Sequence, residues 1–220
     1  MFQPLIDTIM TKSTFRAFRH RDFAIVEGAG WLAGAGVWFY RIGLAVFAWD
    51  LTHSGFWLGV IAIAEAGPGI LISPIAGAMA DRYDRLAMAR IVQFAMMGVT
   101  AALAAMTFAG LVDIWMLTAF AVLHGICTGF WTPVRMSLAP NLVPREDLSA
   151  AIAISGATFN ASRMVGPAIA GGLIIWANTG TVIALCGVIF FAFYFLLRTI
   201  EIAESGTRQK LSLELFVDIW

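Results

Sequence analysis

The stretch that decides the fold runs from Glu65 to Arg90 and reads EAGPGILISPIAGAMADRYDRLAMAR. It opens with a carboxylate in an apolar run, which prolines and glycines interrupt and which ends in the charged sequence DRYDR at 81–85. A second apolar run follows at once. This pattern predicts the end of one membrane-spanning helix, a tight charged turn and the start of the next helix.

The composition of the chain is that of a protein in a lipid bilayer. Hydrophobic residues make up 60% and charged residues 13% of its 220 residues, whereas soluble domains average about 25% charged residues. The net charge of zero argues against nucleic acid as a partner, because nucleic acid selects a basic face. Cys127 and Cys186 lie in apolar runs without a Cys/His cluster, so the sequence predicts neither a metal site nor a disulfide framework. No cofactor is expected.

Six apolar runs approach the length of about 20 residues that a helix needs to cross the hydrocarbon. We expect an all-α membrane protein whose six spans form a bundle over residues 23–199. A cytoplasmic amphipathic segment at 1–22 precedes the bundle, and a tail or the start of a linker at 200–220 follows it. The predicted spans are 23–49, 56–80, 86–109, 114–134, 148–176 and 181–197.

Basic residues predict the orientation of the spans. The breaks at 50–55, 110–113 and 178–180 contain no Lys or Arg. The N-terminal segment, the breaks at 81–85 and 135–147, and the tail carry them instead. Since Lys and Arg accumulate on the cytoplasmic side, both termini are predicted to be cytoplasmic.

Six spans divide into two groups of three, and an odd number in each group inverts the second group relative to the first. The middle span of each group carries similar interruptions: Gly67-Pro68 and Gly77 in one, Gly166-Pro167 and Gly171-Gly172 in the other. Such a pair of interrupted spans indicates a transporter built from inverted repeats. The alternative is that Pro and Gly are simply common in membrane helices.

Several ionisable side chains fall inside the predicted spans, where they are functional-site hypotheses by default. Arg41 and Glu65 lie at similar depths from the same surface and are expected to pair, either as a fixed structural pair or as part of a substrate pathway. Arg163 and Asn160 in the fifth span and His124 in the fourth are expected near the midplane. Glu27 is interpreted as a group that reaches the cytoplasmic interface.

Short motifs then point to a family. Residues 77–85, GAMADRYDR, resemble the loop signature of the major facilitator superfamily, with Asp84 where many members have Gly. Residues 166–172, GPAIAGG, resemble its fifth-helix signature in looser form. The sequences FRHRDF at 18–23, PVR at 133–135 and LVPREDL at 142–148 are similar to those of the enterobactin-exporter and macrolide-efflux branch.

The resemblance implies the N-terminal half of a twelve-helix, alternating-access transporter in the bacterial inner membrane. It implies a proton-coupled exporter of small organic molecules, siderophore- or drug-like. The missing C-terminal six helices, or a second half-size chain, would be its partner. The implied cytoplasmic gate comprises Gly77, Asp81, Arg82 and Arg85, and the implied hinge of the fifth helix comprises Gly166, Pro167, Gly171 and Gly172.

Two other functions compete with an exporter. One is a truncated half with only a structural or assembly role. The other is an enzyme, a six-helix intramembrane protease, whose serine needs a Gly-x-Ser-Gly context. Here Ser155-Gly156 follows Ala153-Ile154, and no His follows His124, so the sequence argues against this chemistry.

Overall fold

A computed structural model describes residues 15–200, apart from the side chains of residues 139 and 140, and contains no β-strand in that range. Three short 3-10 helices cover Phe15–Arg19, Ala139–Leu142 and Arg145–Asp147. The six long helices are α1 (Arg21–Thr52), α2 (Gly55–Arg82), α3 (Arg85–Phe108), α4 (Ile114–Leu138), α5 (Leu148–Ala177) and α6 (Thr179–Arg198).

The helices confirm the predicted all-α fold with six long segments. Five of them are long and apolar enough to cross a membrane, and α5 is not among these five. α5 is long enough at 30 residues, but Asn160, Ser162 and Arg163 lower the hydropathy of its middle. Such residues persist in a membrane helix when they face the bundle or a water-filled cavity.

Several helices extend a few residues past the ends of the predicted spans. α2 extends to Arg82 and α3 begins at Arg85, so only two residues separate them. α4 continues to Leu138 and includes Arg135, which the sequence placed in a loop. α1 begins at Arg21, inside the expected N-terminal segment. Charged residues at these helix ends do not stop the helix, and Arg135 at the end of α4 finds its partners inside the bundle.

The packing pattern matches two inverted three-helix repeats. The main contacts form five pairs of helices: α2 with α4, α1 with α5, α1 with α6, α3 with α4, and α3 with α6. Exchanging α1, α2 and α3 for α4, α5 and α6 converts this set of pairs into itself. α2 and α5 thus occupy equivalent places in the two repeats, as their shared Gly-Pro interruptions predicted.

The connections divide the bundle into two ends. We call the end with the α2–α3 and α4–α5 connections the turn end, and the opposite end the far end. At the turn end, Phe23 packs with Ala17, Ala151 and Ile154 in a small separate apolar core. Asp147 there lies 3.2 Å from Arg16 Nε and 2.9 Å from His20 Nε2. These contacts hold the segment from Phe15 against the start of α5.

Candidate functional site

A first group of polar side chains joins α1, α2 and α4, and we call it the α2 cluster: Tyr40, Arg41, Glu65 and His124. Arg41 Nε donates a hydrogen bond to Glu65 Oε1 at 2.7 Å, so the predicted pairing is confirmed. Glu65 is buried, whereas the Arg41 side chain is 34% exposed. The carboxylate is therefore enclosed, and its cationic partner reaches the surface of the bundle.

His124 joins this pair from α4. Its Nδ1 lies 3.3 Å from Glu65 Oε1, but neither ring nitrogen makes a hydrogen bond within the described part of the chain. The imidazole stacks on Tyr40 with ring centroids 3.9 Å apart. Tyr40 donates its hydroxyl hydrogen to the Phe120 carbonyl at 3.2 Å. The histidine is thus fully buried with unused hydrogen-bonding capacity beside a carboxylate.

A backbone contact between α2 and α4 sets the position of Glu65. A Cβ added at Gly125 would clash with the Glu65 carbonyl oxygen. Only a residue without a side chain allows the two helices to approach this closely, as small residues do in membrane bundles. α2 and α4 therefore act as one unit around the cluster, with α1 attached to it through Arg41.

A second group joins α1, α4 and α5 near the turn end, and we call it the α5 cluster: Glu27, Arg135, Ser155 and Thr158. Glu27 is fully buried and accepts hydrogen bonds from Ser155 Oγ and, at 2.6 Å, from Thr158 Oγ1. Arg135 Nη2 lies 3.3 Å from Glu27 Oε2 and donates to Thr158 Oγ1 at 3.0 Å. Two hydroxyl groups and a guanidinium thus compensate the buried carboxylate.

The sequence missed the α5 cluster. It interpreted Glu27 as a group reaching the interface and placed Arg135 in a loop, and both interpretations are wrong because the two residues meet inside the bundle. The residues are 108 positions apart, so no local pattern could have paired them. The available signal was Glu27 itself, an acid within an apolar run that needs a partner.

The other predicted pathway residues lie elsewhere. Asn160 and Arg163 are exposed on α5, and the Arg163 guanidinium lies 5.7 Å from the centre of the Phe159 ring. Asn160 Nδ2 donates to the Gly156 carbonyl of its own helix at 2.8 Å. His124, which the sequence grouped with these two residues, belongs to the α2 cluster.

Comparison with known proteins identifies the family. The family model described as transmembrane secretion effector matches residues 12–217. The chain belongs to this family of the major facilitator superfamily. Its relatives include the staphyloferrin A transporter of Staphylococcus aureus, 30% identical over 71% of this chain and 40% of that protein.

Two further relatives are more distant. The macrolide efflux protein A of Streptococcus pyogenes is 23% identical over 66% of this chain and 36% of that protein. The uncharacterized MFS-type transporter YfiS of Bacillus subtilis is 23% identical over 81% of this chain and 43% of that protein. The chain thus spans less than half the length of these facilitator relatives.

The facilitator loop motif at the turn end ties three helix ends together. Arg85 donates from Nε to the Ala80 carbonyl and from Nη1 to the Ser137 carbonyl, each at 2.9 Å. These carbonyls belong to the last turns of α2 and α4, where the helix leaves acceptors unpaired. Arg85 Nη2 also lies 3.5 Å from Asp81. Asp81 and Arg82 themselves are exposed.

Asp84, where many facilitators have Gly, fits this turn without strain. Its φ of −64° is accessible to any residue, and its carboxylate caps α3 by accepting from the Leu86 N–H at 2.8 Å. The tightness of the turn is thus compatible with Asp because its side chain replaces a missing helix hydrogen bond.

The glycines of the fifth-helix motif have different surroundings. A Cβ added at Gly166 would lie 2.8 Å from Trp38 Cβ, so this glycine allows α1 and α5 to approach. A Cβ at Gly171 or Gly172 would meet nothing within 4 Å, and the same is true of Gly77 in α2. Pro167 lies inside the continuous helix α5.

Proposed function

We propose that the complete transporter containing this chain exports small organic molecules across the bacterial cytoplasmic membrane by alternating access, driven by protons. This chain would be its N-terminal six-helix half, with both termini in the cytoplasm. The names of two relatives, a staphyloferrin A transporter and a macrolide efflux protein, support a siderophore- or drug-like substrate class. The same family membership argues against an enzyme.

The observation that carries the proposal is the carboxylate of Glu65 between Arg41 and His124. In this proposal a proton on Glu65 cancels its charge, and Arg41 loses the partner that ties α1 to α2. The Arg41 side chain already reaches the bundle surface, so it can turn outward without crossing an apolar layer. Because α2 and α4 are held together by backbone contact, the change would act between α1 and that unit.

The substrate pathway would include the five polar residues predicted from the sequence. Arg163 and Asn160 lie exposed on α5, and a cation there suits an anionic or carbonyl-bearing molecule. In our proposal the α2 cluster couples to the proton while this face of α5 contacts the substrate. The proposed pathway comprises Arg41, Glu65, His124, Asn160 and Arg163.

The remaining partner in the proposal is a second six-helix half. α2 and α5 carry large apolar side chains that the described part of the chain leaves more than 70% exposed: Ile63, Ile70, Leu71, Met164, Ile175 and Trp176. Lipid covers part of such a surface. The relatives are longer than this chain, and in our proposal a second half of the protein covers the rest. Asp81 and Arg82 at the turn end would then close the cytoplasmic gate against that half.

Efflux from cells that express the complete transporter tests the function. Panels of macrolides and siderophores would identify a substrate whose accumulation falls on expression. We expect Glu65→Gln to abolish proton-driven efflux and Arg163→Ala to reduce it at least tenfold, with both variants present in the membrane. Glu146→Gln is the matched control, because it makes the same change at an exposed residue outside the pathway.

The outcomes separate the parts of the proposal. Efflux that persists after collapse of the proton gradient would remove the proton from the mechanism. Normal efflux from Arg163→Ala would remove Arg163 from the pathway. The genomic sequence downstream of Trp220 tests the second half: six further spans in frame support it, whereas a stop codon would favour a half-size or purely structural protein.

A further inference from the structure

A cavity of about 350 Å³ opens beside the α5 cluster, between α4 and α5. Its volume lies within the range of small-molecule pockets, about 300–1,000 Å³. The walls are mainly apolar and include the two aromatic rings of Trp131 and Phe159, with Met136 and Ile152 beside them. The polar groups on the walls come from Arg135, Thr132 and Ser155.

Arg135 lines the cavity and is a buried cation whose described hydrogen bonds do not use all of its donors. Its side chain is only 7% exposed. Both of its described hydrogen bonds leave from Nη2, and its Nε is buried without a partner among the described residues. The guanidinium also lies 5.9 Å from the centre of the Phe159 ring. A cation of this kind recognises a carboxylate through charge-assisted hydrogen bonds.

We propose that this cavity is a binding subsite for amphipathic organic anions, in which a ligand carboxylate competes with Glu27 for Arg135 while the ligand's apolar body lies between Trp131 and Phe159. The subsite rests on the proposed transport function but is separate from the α2 cluster. Glu27 does not need to leave its position when a ligand binds, because Ser155 and Thr158 continue to donate hydrogen bonds to it.

Binding of 1-naphthoate and its neutral analogue 1-naphthamide to the purified complete transporter tests the subsite. We expect naphthoate to bind about tenfold more tightly than naphthamide, the ratio for one hydrogen bond to a charged group. Arg135→Gln should remove this preference, whereas Arg135→Lys should retain part of it. Arg198→Gln is the matched control, because it removes an exposed arginine at the same end of the bundle.

Glu27→Gln should change the affinity for naphthoate in the opposite direction. It preserves the shape of the side chain and removes the competing charge, so naphthoate should bind about tenfold more tightly than to the unchanged transporter. A merely structural ion pair predicts no such gain. Equal affinity for naphthoate and naphthamide, or an unchanged preference in Arg135→Gln, would overturn the subsite.

A further variant tests the cavity without changing a charged residue. A Cβ at Gly156 meets nothing within 4 Å, so Gly156→Leu should fold and fill the cavity, weakening naphthoate binding at least tenfold. Gly98→Leu is the control, since Gly98 is equally open but lies on α3. Undiminished binding to Gly156→Leu would place the ligand elsewhere. Naphthoate binding without efflux would support the subsite and contradict the transport function. Efflux without a preference for naphthoate would support the transport function and contradict the subsite.

Discussion

The α2 cluster and the α5 cluster are both acid–arginine pairs that involve α1 and α4. The third helix is α2 in one and α5 in the other, and these helices exchange under the repeat symmetry. Glu27 and Arg41 are 14 residues apart on α1, which is about 21 Å along a helix. The two repeats thus place a similar charge pair near opposite ends of the bundle, on related sets of three helices.

The two clusters differ in how completely they enclose their charges. The Arg41 side chain is 34% exposed and that of Arg135 only 7%. Among the residues that the structure describes, Glu27 has two hydroxyl donors besides its arginine, whereas Glu65 has one hydrogen bond, from Arg41, and a histidine nearby. A pair with an exposed partner and few hydrogen bonds is easier to separate. The comparison therefore suggests a mobile α2 cluster and a rigid α5 cluster.

The largest expected effect concerns the side of the membrane that each cluster faces. A cysteine at Glu146 lies at the turn end, and one at Leu111 lies at the far end; both positions are exposed. With cytoplasmic termini, a membrane-impermeant maleimide added to intact cells should label Leu111→Cys and leave Glu146→Cys unlabelled. Native Cys127 and Cys186 are buried, so background should be low. The reverse labelling would place each cluster on the side of the membrane opposite to the one we propose.

The next effect tests the helix contacts beside the clusters. Gly125→Ala would force a Cβ against the backbone of Glu65, whereas Gly34→Ala would meet the Ser162 hydroxyl at 2.7 Å, a side chain that can move. Overpacking costs about 1–3 kcal/mol and sometimes more, and we expect Gly125→Ala at the upper limit or beyond. Thermal unfolding of the purified transporter should rank Gly125→Ala well below Gly34→Ala. Equal melting temperatures would contradict the close α2–α4 contact.

Removing one acid from each cluster compares their stability directly. Glu27→Ala leaves the Arg135 charge buried without its counter-ion, and such a change costs about 3–5 kcal/mol. Glu65→Ala leaves Arg41 with a side chain that is already 34% exposed at the bundle surface, so the cost should be smaller than that of Glu27→Ala. Denaturation monitored by gel filtration would measure both. A larger loss for Glu65→Ala would reverse the assignment of the rigid and the mobile cluster.

The smallest expected difference between the two clusters concerns a single hydroxyl group in each. Thr158→Val removes a hydrogen bond to a charged carboxylate and should cost about 1.5–3 kcal/mol, whereas Tyr40→Phe removes one to a neutral carbonyl and should cost about 1 kcal/mol. Tyr40→Phe also preserves the stacking on His124. Melting curves of the two variants provide the measurement, and Thr181→Val, at an exposed hydroxyl, is the control. If Tyr40→Phe costs more, the α2 cluster depends on its hydroxyl more than the geometry indicates.

The sequence by itself determined the class of protein, the number of long helices and the pairing of Arg41 with Glu65. Long apolar runs can only be satisfied as helices in a membrane, and two charges at equal depth on adjacent spans can be paired by counting residues. The interruptions in α2 and α5 also predicted the equivalence of these helices.

The tertiary structure decided which faces of the helices meet. α1 and α2 are apolar on all sides, so periodicity does not show which face is inside. The place of His124 beside Glu65, and the pairing of Glu27 with Arg135, therefore depend on contacts between helices distant in the chain. Because of these contacts, Glu27 and Arg135 form a buried pair, although the sequence predicted one at the interface and the other in a loop.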